Sequence, residues 1–481
     1  MKCAGIYKNW LRNRTLPHCK SANLDMKRRF FLKQSASAAL ALPLAAVAGD
    51  VPDIGPHLNH PAFDALARLS PDEAALADEL WDEIRQQYNL NPDFLNLESG
   101  YCNTLSNMVL ESLLSQARVN NMAITRYMRT QMEMDRSRTK ERLATLMGVD
   151  PNLIAITRNT TESLNILISG IDLKKDDEII LSRQDYGSMV EAFEQKARRT
   201  GTVNKFVKIP LLPKDKKEII AVYEKAITPK TKVMLVTHMI NITGQIMPVK
   251  ELCALGRKHG IEVFVDGAHA FAHIDFSLQE LDCDYYATSL HKWLGAPLGN
   301  GLLFVKPEKI ERIWPLMGDT AKGSNDIRKF EHLGTMMPAV WQGINMAIDQ
   351  HMRISGKVKE SRLRYLKNYW VEKCKTIPGF TLLTPTGDTQ SCGIATFTLE
   401  GRQADAIART LMEKEVFTVA INNEEVKGVR VTPNVFTSTD DLDRLVKALT
   451  ETASELPAEV LPGQTPQLPA PPAKNAPAKK K

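Results

Sequence analysis

The run Thr288-Ser289-Leu290-His291-Lys292-Trp293-Leu294-Gly295 places a lysine directly after an apolar stretch, beside a hydroxyl and an imidazole, with glycines continuing at Gly299 and Gly301. Lysine amines form Schiff bases with carbonyl cofactors, and the end of a strand is where a ligand crevice opens in an α/β sheet. Alone, such a lysine is more often a solvated surface residue, and these glycines do not match the G-x-G-x-x-G dinucleotide fingerprint. Upstream, Val263-Phe264-Val265-Asp266-Gly267-Ala268-His269 ends another apolar run in a carboxylate. A buried Asp needs a cationic or hydrogen-bonded partner, and a protonated pyridine nitrogen is one. A third run, from Ile154 through Arg158-Asn159-Thr160-Thr161-Glu162, reads as strand, polar turn and helix start. The free N–H groups and dipole of that helix end form an anion site to which Thr160 and Thr161 add hydroxyls; ordinary Thr capping is the plainer reading.

The elements that must hold these residues are legible as periodicity. Apolar runs over 153–157, 178–181, 232–237, 262–265, 284–289 and 302–305 lack the alternation of a half-exposed strand, so the strands should be covered on both faces of a mostly parallel sheet. Helical stretches over 162–168, 189–199 and 250–259 are long enough to be crossovers. After about residue 345 the pattern changes to a long basic helix over 344–375, strands near 380–383, 393–398 and 429–432, and helices over 403–414 and 439–455. The class is α/β, with a large mostly parallel-sheet domain at 95–345, a smaller α+β domain at 346–458 and an N-terminal helical segment at 49–94, whose helical region over 62–88 is expected to cross back to the smaller domain.

Composition narrows the function classes. The formal charge of +6 is concentrated at the ends: residues 1–48 hold nine Lys and Arg against one acid, residues 466–481 hold four Lys, and the remainder carries a net −6. A mildly acidic body without aromatic-interleaved basic motifs disfavours nucleic acid as a partner. No apolar run is long enough to span a bilayer. Seven cysteines, Cys3, Cys19, Cys102, Cys253, Cys283, Cys374 and Cys392, include no C-x-x-C pair and support neither a zinc site nor a disulfide framework. His269 and His273 have a spacing found in metal pairs, but no third ligand accompanies them, so no metal is expected. Residues 27–48 run Lys27-Arg28-Arg29-Phe30-Phe31-Leu32-Lys33, then a short apolar stretch, then Ala46-Val47-Ala48, the plan of an export signal. It resembles a twin-arginine signal, which implies passage through the twin-arginine translocase, cleavage after Ala48 and a periplasmic product, with Met26 the alternative start to Met1. Residues 459–481, rich in Pro, Ala and Lys, should form a disordered tail.

Taken together the motifs, in order over about residues 95–446, resemble the pyridoxal-phosphate enzymes of aminotransferase class V, the group containing cysteine desulfurases, isopenicillin N epimerase and kynureninase. The resemblance implies the fold type I architecture of the pyridoxal-phosphate transferases and pyridoxal 5'-phosphate as cofactor. It implies that Lys292 is the catalytic residue and carries the cofactor as a Schiff base, that Asp266 pairs with the ring nitrogen, and that Tyr186, in Asp185-Tyr186-Gly187, stacks on the ring. It implies that Asn241 hydrogen-bonds the ring oxygen O3′, that His269 reaches O3′ or the phosphate, and that Ser289, His291, Thr160 and Thr161 cradle the phosphate. Phe330-Glu331-His332-Leu333-Gly334-Thr335 resembles a family segment whose Thr, here Thr335, reaches the phosphate of a neighbouring subunit, which implies a homodimer; Lys329 stands where the family has Arg. Gly428-Val429-Arg430-Val431-Thr432 resembles the segment whose Arg, here Arg430, binds the substrate α-carboxylate, a role suited to a planar fork of donors.

Desulfurases need a nucleophilic Cys on the loop before this Arg, and residues 415–427 contain none. Cys102 lies near Glu98-Ser99-Gly100 with no visible activator. The expected chemistry is therefore at the α-carbon of an amino acid, transamination or epimerisation, with Lys292 as the base. A lyase of the kynureninase or desulfurase type, and a protein that binds the cofactor without turning over, remain the alternatives.

Overall fold

The computed structural model describes residues 60–319 and 322–457. The proposed export signal and the Pro/Ala/Lys tail lie outside the described residues.

The described chain opens with three short helices, Pro61–Leu66, Pro71–Leu76 and Asp78–Arg85, the second held by a reciprocal capping box between Ser70 and Glu73. Strand β1 (Leu95–Asn96) follows, then two long helices, Asn107–Met122 and Met132–Met147. A seven-stranded sheet is built from β2 (Ile154–Thr157), β3 (Glu178–Ser182), β4 (Val203–Val207), β5 (Thr231–Thr237), β6 (Glu262–Asp266), β7 (Tyr285–Ser289) and β8 (Gly301–Val305), in the order β2-β8-β7-β6-β5-β3-β4. Every pairing is parallel except those of β8, which is antiparallel to both β2 and β7. Neighbouring residues of each strand alternate between two cores: Met234, Val236, Val263, Val265 and Tyr286 face one, and Val233, Leu235, Phe264, Tyr285 and Ala287 face the other. Both faces are apolar because both are covered by helices.

After β8 the chain makes helix α1 (Pro338–Ile354), which packs on the two long helices, and α2 (Gly356–Cys374). The expected continuous helix over 344–375 is broken at Ser355, whose φ of 74° no helix continues through. The turn lets α1 stay with the large sheet while α2 leaves it. A four-stranded antiparallel sheet of β9 (Phe380–Leu382), β10 (Ala395–Leu399), β12 (Val419–Asn422) and β13 (Lys427–Val431), in the order β12-β13-β10-β9, packs its apolar face against α2, helix Ala404–Glu413 and α3 (Thr439–Glu455). A separate short strand, β11 (Val416–Phe417), pairs in parallel with β1.

The N-terminal helices are tied to α2 and α3 by ion pairs. Arg362 on α2 is fully buried and reaches Asp78 Oδ1 at 2.5 Å and the Ala75 carbonyl at 2.9 Å. Arg85 forms an ion pair with Asp441 at the start of α3.

Candidate active site

Six segments meet at one edge of the large sheet, where the parallel strands end and β8 begins. Together they enclose a cavity of about 370 Å³, within the size range of small-ligand sites. Asn159, Thr160 and Thr161 follow β2, Tyr186 follows β3, and Thr237 and Asn241 stand at and after the end of β5. Asp266 ends β6 and is followed by Ala268 and His269; Ser289 ends β7 and is followed by His291 and Lys292; Leu298 and Gly299 lead into β8. Tyr101 and Cys102 complete the lining.

The anion-binding corner depends on a close approach. A Cβ on Gly301 would stand 2.5 Å from the Asn159 Cα, so the bare glycine lets the turn after β2 pass over the start of β8. Asn159 caps the helix Thr160–Gly170 by accepting from the Glu162 N–H at 2.9 Å. The Thr160 N–H donates to Ser289 Oγ at 2.9 Å, and the two hydroxyls lie 2.7 Å apart. A hydroxyl from the end of β7 and one from the first helical residue thus gather at a helix N-terminus, which favours an anion.

Asp266 is buried and accepts from the Ala268 N–H at 3.0 Å. Burial raises its carboxyl above the ordinary range, while that hydrogen bond and the Lys292 charge pull it back. Lys292 Nζ lies 2.7 Å from His269 Nε2. The indole N–H of Trp293, which can only donate, points to His269 Nδ1 at 3.4 Å. A neutral His269 therefore carries its proton on Nε2 and offers it to a lone pair on Nζ, an arrangement that selects the uncharged amine. Burial, then the charges of Lys292 and Arg430, hold His269 well below the usual imidazole range. Burial brings the Lys292 amine down to about 8, against the nearby Asp266 carboxylate, with Arg430 pushing the same way as burial. Burial and the Lys292 charge take His291 down to about 4.

Ten of the expected site residues, Thr160, Thr161, Tyr186, Asn241, Asp266, His269, Ser289, His291, Lys292 and Arg430, fall in or beside this cavity. Tyr186 is 40% exposed, at the start of the helix Gly187–Thr200. Arg430 does not line the cavity: it is buried behind it, in an ion pair with Glu98, rather than on the surface. Thr335 is exposed and away from the lining. His273 stacks on Trp293 and accepts from the Gly393 N–H at 2.8 Å, so its spacing from His269 serves packing. Cys102 does reach the cavity; burial raises its thiol, with the Lys292 charge opposing. Thr237, Tyr101 and Glu98 carry no motif that marks them in the sequence.

Several known proteins are similar to this chain. The family model described as "Aminotransferase class-V" matches residues 102–422. Isopenicillin N epimerase of Streptomyces clavuligerus is 30% identical over 393 residues, covering 78% of this chain and 98% of that protein. A probable cysteine desulfurase of Halalkalibacterium halodurans is 29% identical over 323 residues, covering 62% of this chain and 77% of its own. Among solved structures, a mutant of the cystine C–S lyase C-DES with glycine covalently linked to its PLP cofactor superposes with a TM-score of 0.70 at 22% identity, over 76% of this chain and 99% of that one. A cysteine desulfurase of Escherichia coli gives 0.67 at 22% identity, over 78% and 98%. These two likenesses establish the shared fold. With the family model matched over most of the described residues, the chain belongs to the aminotransferase class-V family.

Proposed function

We propose that this protein is a pyridoxal-phosphate-dependent enzyme that acts at the α-carbon of an amino acid, by transamination or epimerisation, with Lys292 as the residue that holds the cofactor and moves the proton. The observation that carries this reading is the Lys292 amine, enclosed at a sheet edge, set 2.7 Å from a neutral imidazole and brought down to about 8. The donor set fits the cofactor. Asp266 offers a buried carboxylate for a protonated ring nitrogen, Thr160, Thr161 and Ser289 offer hydroxyls at a helix N-terminus for a phosphate, and Tyr186 offers an aromatic face.

When bound, pyridoxal phosphate supplies an electron sink for the bond broken at the substrate α-carbon. The chain's residues set the conditions. Asp266 would hold a positive charge on the ring nitrogen, because a carboxylate buried without a cation is costly. Lys292, once free, takes up the α-proton at Nζ, since an amine near 8 is both partly unprotonated and basic enough at neutral pH. His269 fixes the direction of that lone pair. Protonation of the α-carbon on the opposite face, by a donor other than Lys292, gives epimerisation, and delivery of the proton elsewhere gives transamination. The thiol of Cys102 is raised by burial, which makes it a poor nucleophile and disfavours desulfuration. A homodimer in which Thr335 serves a neighbouring site, and twin-arginine export to the periplasm, complete the proposal.

Two experiments test it. Borohydride treatment of vitamin-supplied protein followed by peptide mapping should find the cofactor on Lys292, and an unmodified Lys292 in folded material rejects the assignment. A panel of L- and D-amino acids in heavy water, with and without α-keto acids, separates deuterium uptake with loss of chirality from keto-acid formation.

A further inference from the structure

We propose that Glu98 is a specificity-determining residue, a resident carboxylate that competes with the substrate's own carboxylate for Arg430. The proposal rests on the amino-acid reading above. Arg430 directs Nη2 to Glu98 Oε1 and Nε to Glu98 Oε2 at 3.4 Å, while Nη1 donates to the Asn241 carbonyl at 2.9 Å. All three guanidinium nitrogens therefore already hold protein oxygens. Each side chain of the ion pair keeps only 7% of its surface, and neither lines the cavity.

Neither backbone is free to retreat. Arg430 stands on β13, between β10 and β12. The segment carrying Glu98 is fastened to the residue two beyond Arg430: the Thr432 N–H donates to the Leu97 carbonyl at 2.7 Å, the Ser99 N–H to the Thr432 carbonyl at 3.3 Å and the Gly100 N–H to Thr432 Oγ1 at 2.9 Å. A Cβ on Gly100 would meet Thr432 Cγ2 at 3.0 Å, so the glycine allows this seam to close. Only rotation of the two side chains can separate the pair.

An incoming carboxylate thus meets a guanidinium whose charge is balanced and whose side-on fork is taken. It must share the two remaining N–H groups beside another carboxylate, or drive Glu98 out of its ion pair while Glu98 stays buried. Like charges in contact and a broken buried pair both cost affinity. A substrate or analogue with a neutral group at this wall meets neither penalty. Asn241, whose carbonyl Arg430 holds, lines the cavity, which puts the competition behind the cavity wall.

The test is equilibrium binding to the holoenzyme, read as the shift of its visible absorbance, for an L-amino acid and its amide. Binding of propionate, which has no amine to react, is read in parallel as a rise in Tm. Glu98→Gln keeps the shape and one acceptor for Arg430 but removes the charge. It should tighten the amino acid about tenfold or more and raise the Tm gain from propionate, with the amide changed less than about twofold. Unchanged or weaker amino-acid and propionate binding in Glu98→Gln overturns the proposal. A second measurement is independent of that variant's folding: wild-type holoenzyme should bind the amide at least as tightly as the acid, and about tenfold preference for the acid overturns the proposal by itself. A wild-type spectrum that responds to neither compound overturns the amino-acid reading and this proposal together, whereas a response to both with no effect of Glu98→Gln rejects the proposal alone.

Discussion

The Lys292 amine offers the sharpest quantitative check, because its protonation state is set by the cavity before any cofactor arrives. Attachment of an aldehyde needs the neutral amine, so the fraction of neutral Lys292 scales the rate at which apoprotein takes up pyridoxal phosphate. An amine near 8 is about one quarter neutral at a pH of about 7.5, whereas one at its ordinary 10.5 is about one part in a thousand neutral, a difference of roughly two hundredfold. The sign is fixed: the neutral fraction grows as pH rises, so the uptake rate should climb through about 8 and level off above it. Stopped-flow recording of the visible band after mixing apoprotein with cofactor, over a range of about pH 6.5 to 10, measures this directly. Asp266→Asn provides the internal control. The Asp266 carboxylate raises the Lys292 amine, so removing its charge should move the midpoint to lower pH. A rate that keeps rising about tenfold per pH unit up to about pH 10, or a midpoint that moves upward in Asp266→Asn, refutes the tuning argument.

Three further outcomes follow from contacts described above. Gly301→Ala forces a Cβ to within 2.5 Å of Asn159 Cα; overpacking of this kind costs about 1–3 kcal/mol, and the displaced anion corner should weaken cofactor retention about tenfold by absorbance titration, with retention unchanged ruling out that role for the close approach. Ser289→Ala leaves the Thr160 N–H without its acceptor and should weaken cofactor retention by about 1 kcal/mol, roughly fivefold, in the same titration. Asp78→Ala leaves the fully buried Arg362 guanidinium without its carboxylate; the expected loss is about 3 kcal/mol in urea unfolding, and a loss under about 1 kcal/mol shows that the Ala75 carbonyl is a sufficient partner.

The large sheet and its functional edge are legible in the sequence because burial on both faces leaves unbroken apolar runs, and each run ends where a polar residue must face a ligand. Asp266, Ser289 and Lys292 can be placed for that reason. Strand β4 escapes because Val203–Val207 is an edge strand whose Asn204 and Lys205 are only partly covered, so its composition is that of a loop. The short β11 and β12 are separated only by Thr418 and lack the length for periodicity to register. The break at Ser355 is hidden because both flanking helices are rich in helix-forming residues and Ser-Gly alone is a weak stop signal. Glu98 is the most consequential silent residue. Its meaning comes from a partner that lies on another sheet, and no local pattern in residues 95–103 encodes that meeting.

The seam between the Glu98 segment and β13 also dictates when the protein can be complete. Leu95–Asn96 finds its strand partner only at Val416–Phe417, and Leu97 and Ser99 find theirs only at Thr432. On the ribosome, the early segment must wait with unpaired amides until the last tenth of the described chain has emerged. Pairing across such a span comes late in folding, because the loop must close before the contact repays it. A nascent or truncated product ending short of β13 can assemble the seven-stranded sheet and its lysine, yet still lack the Glu98–Arg430 pair behind the cavity.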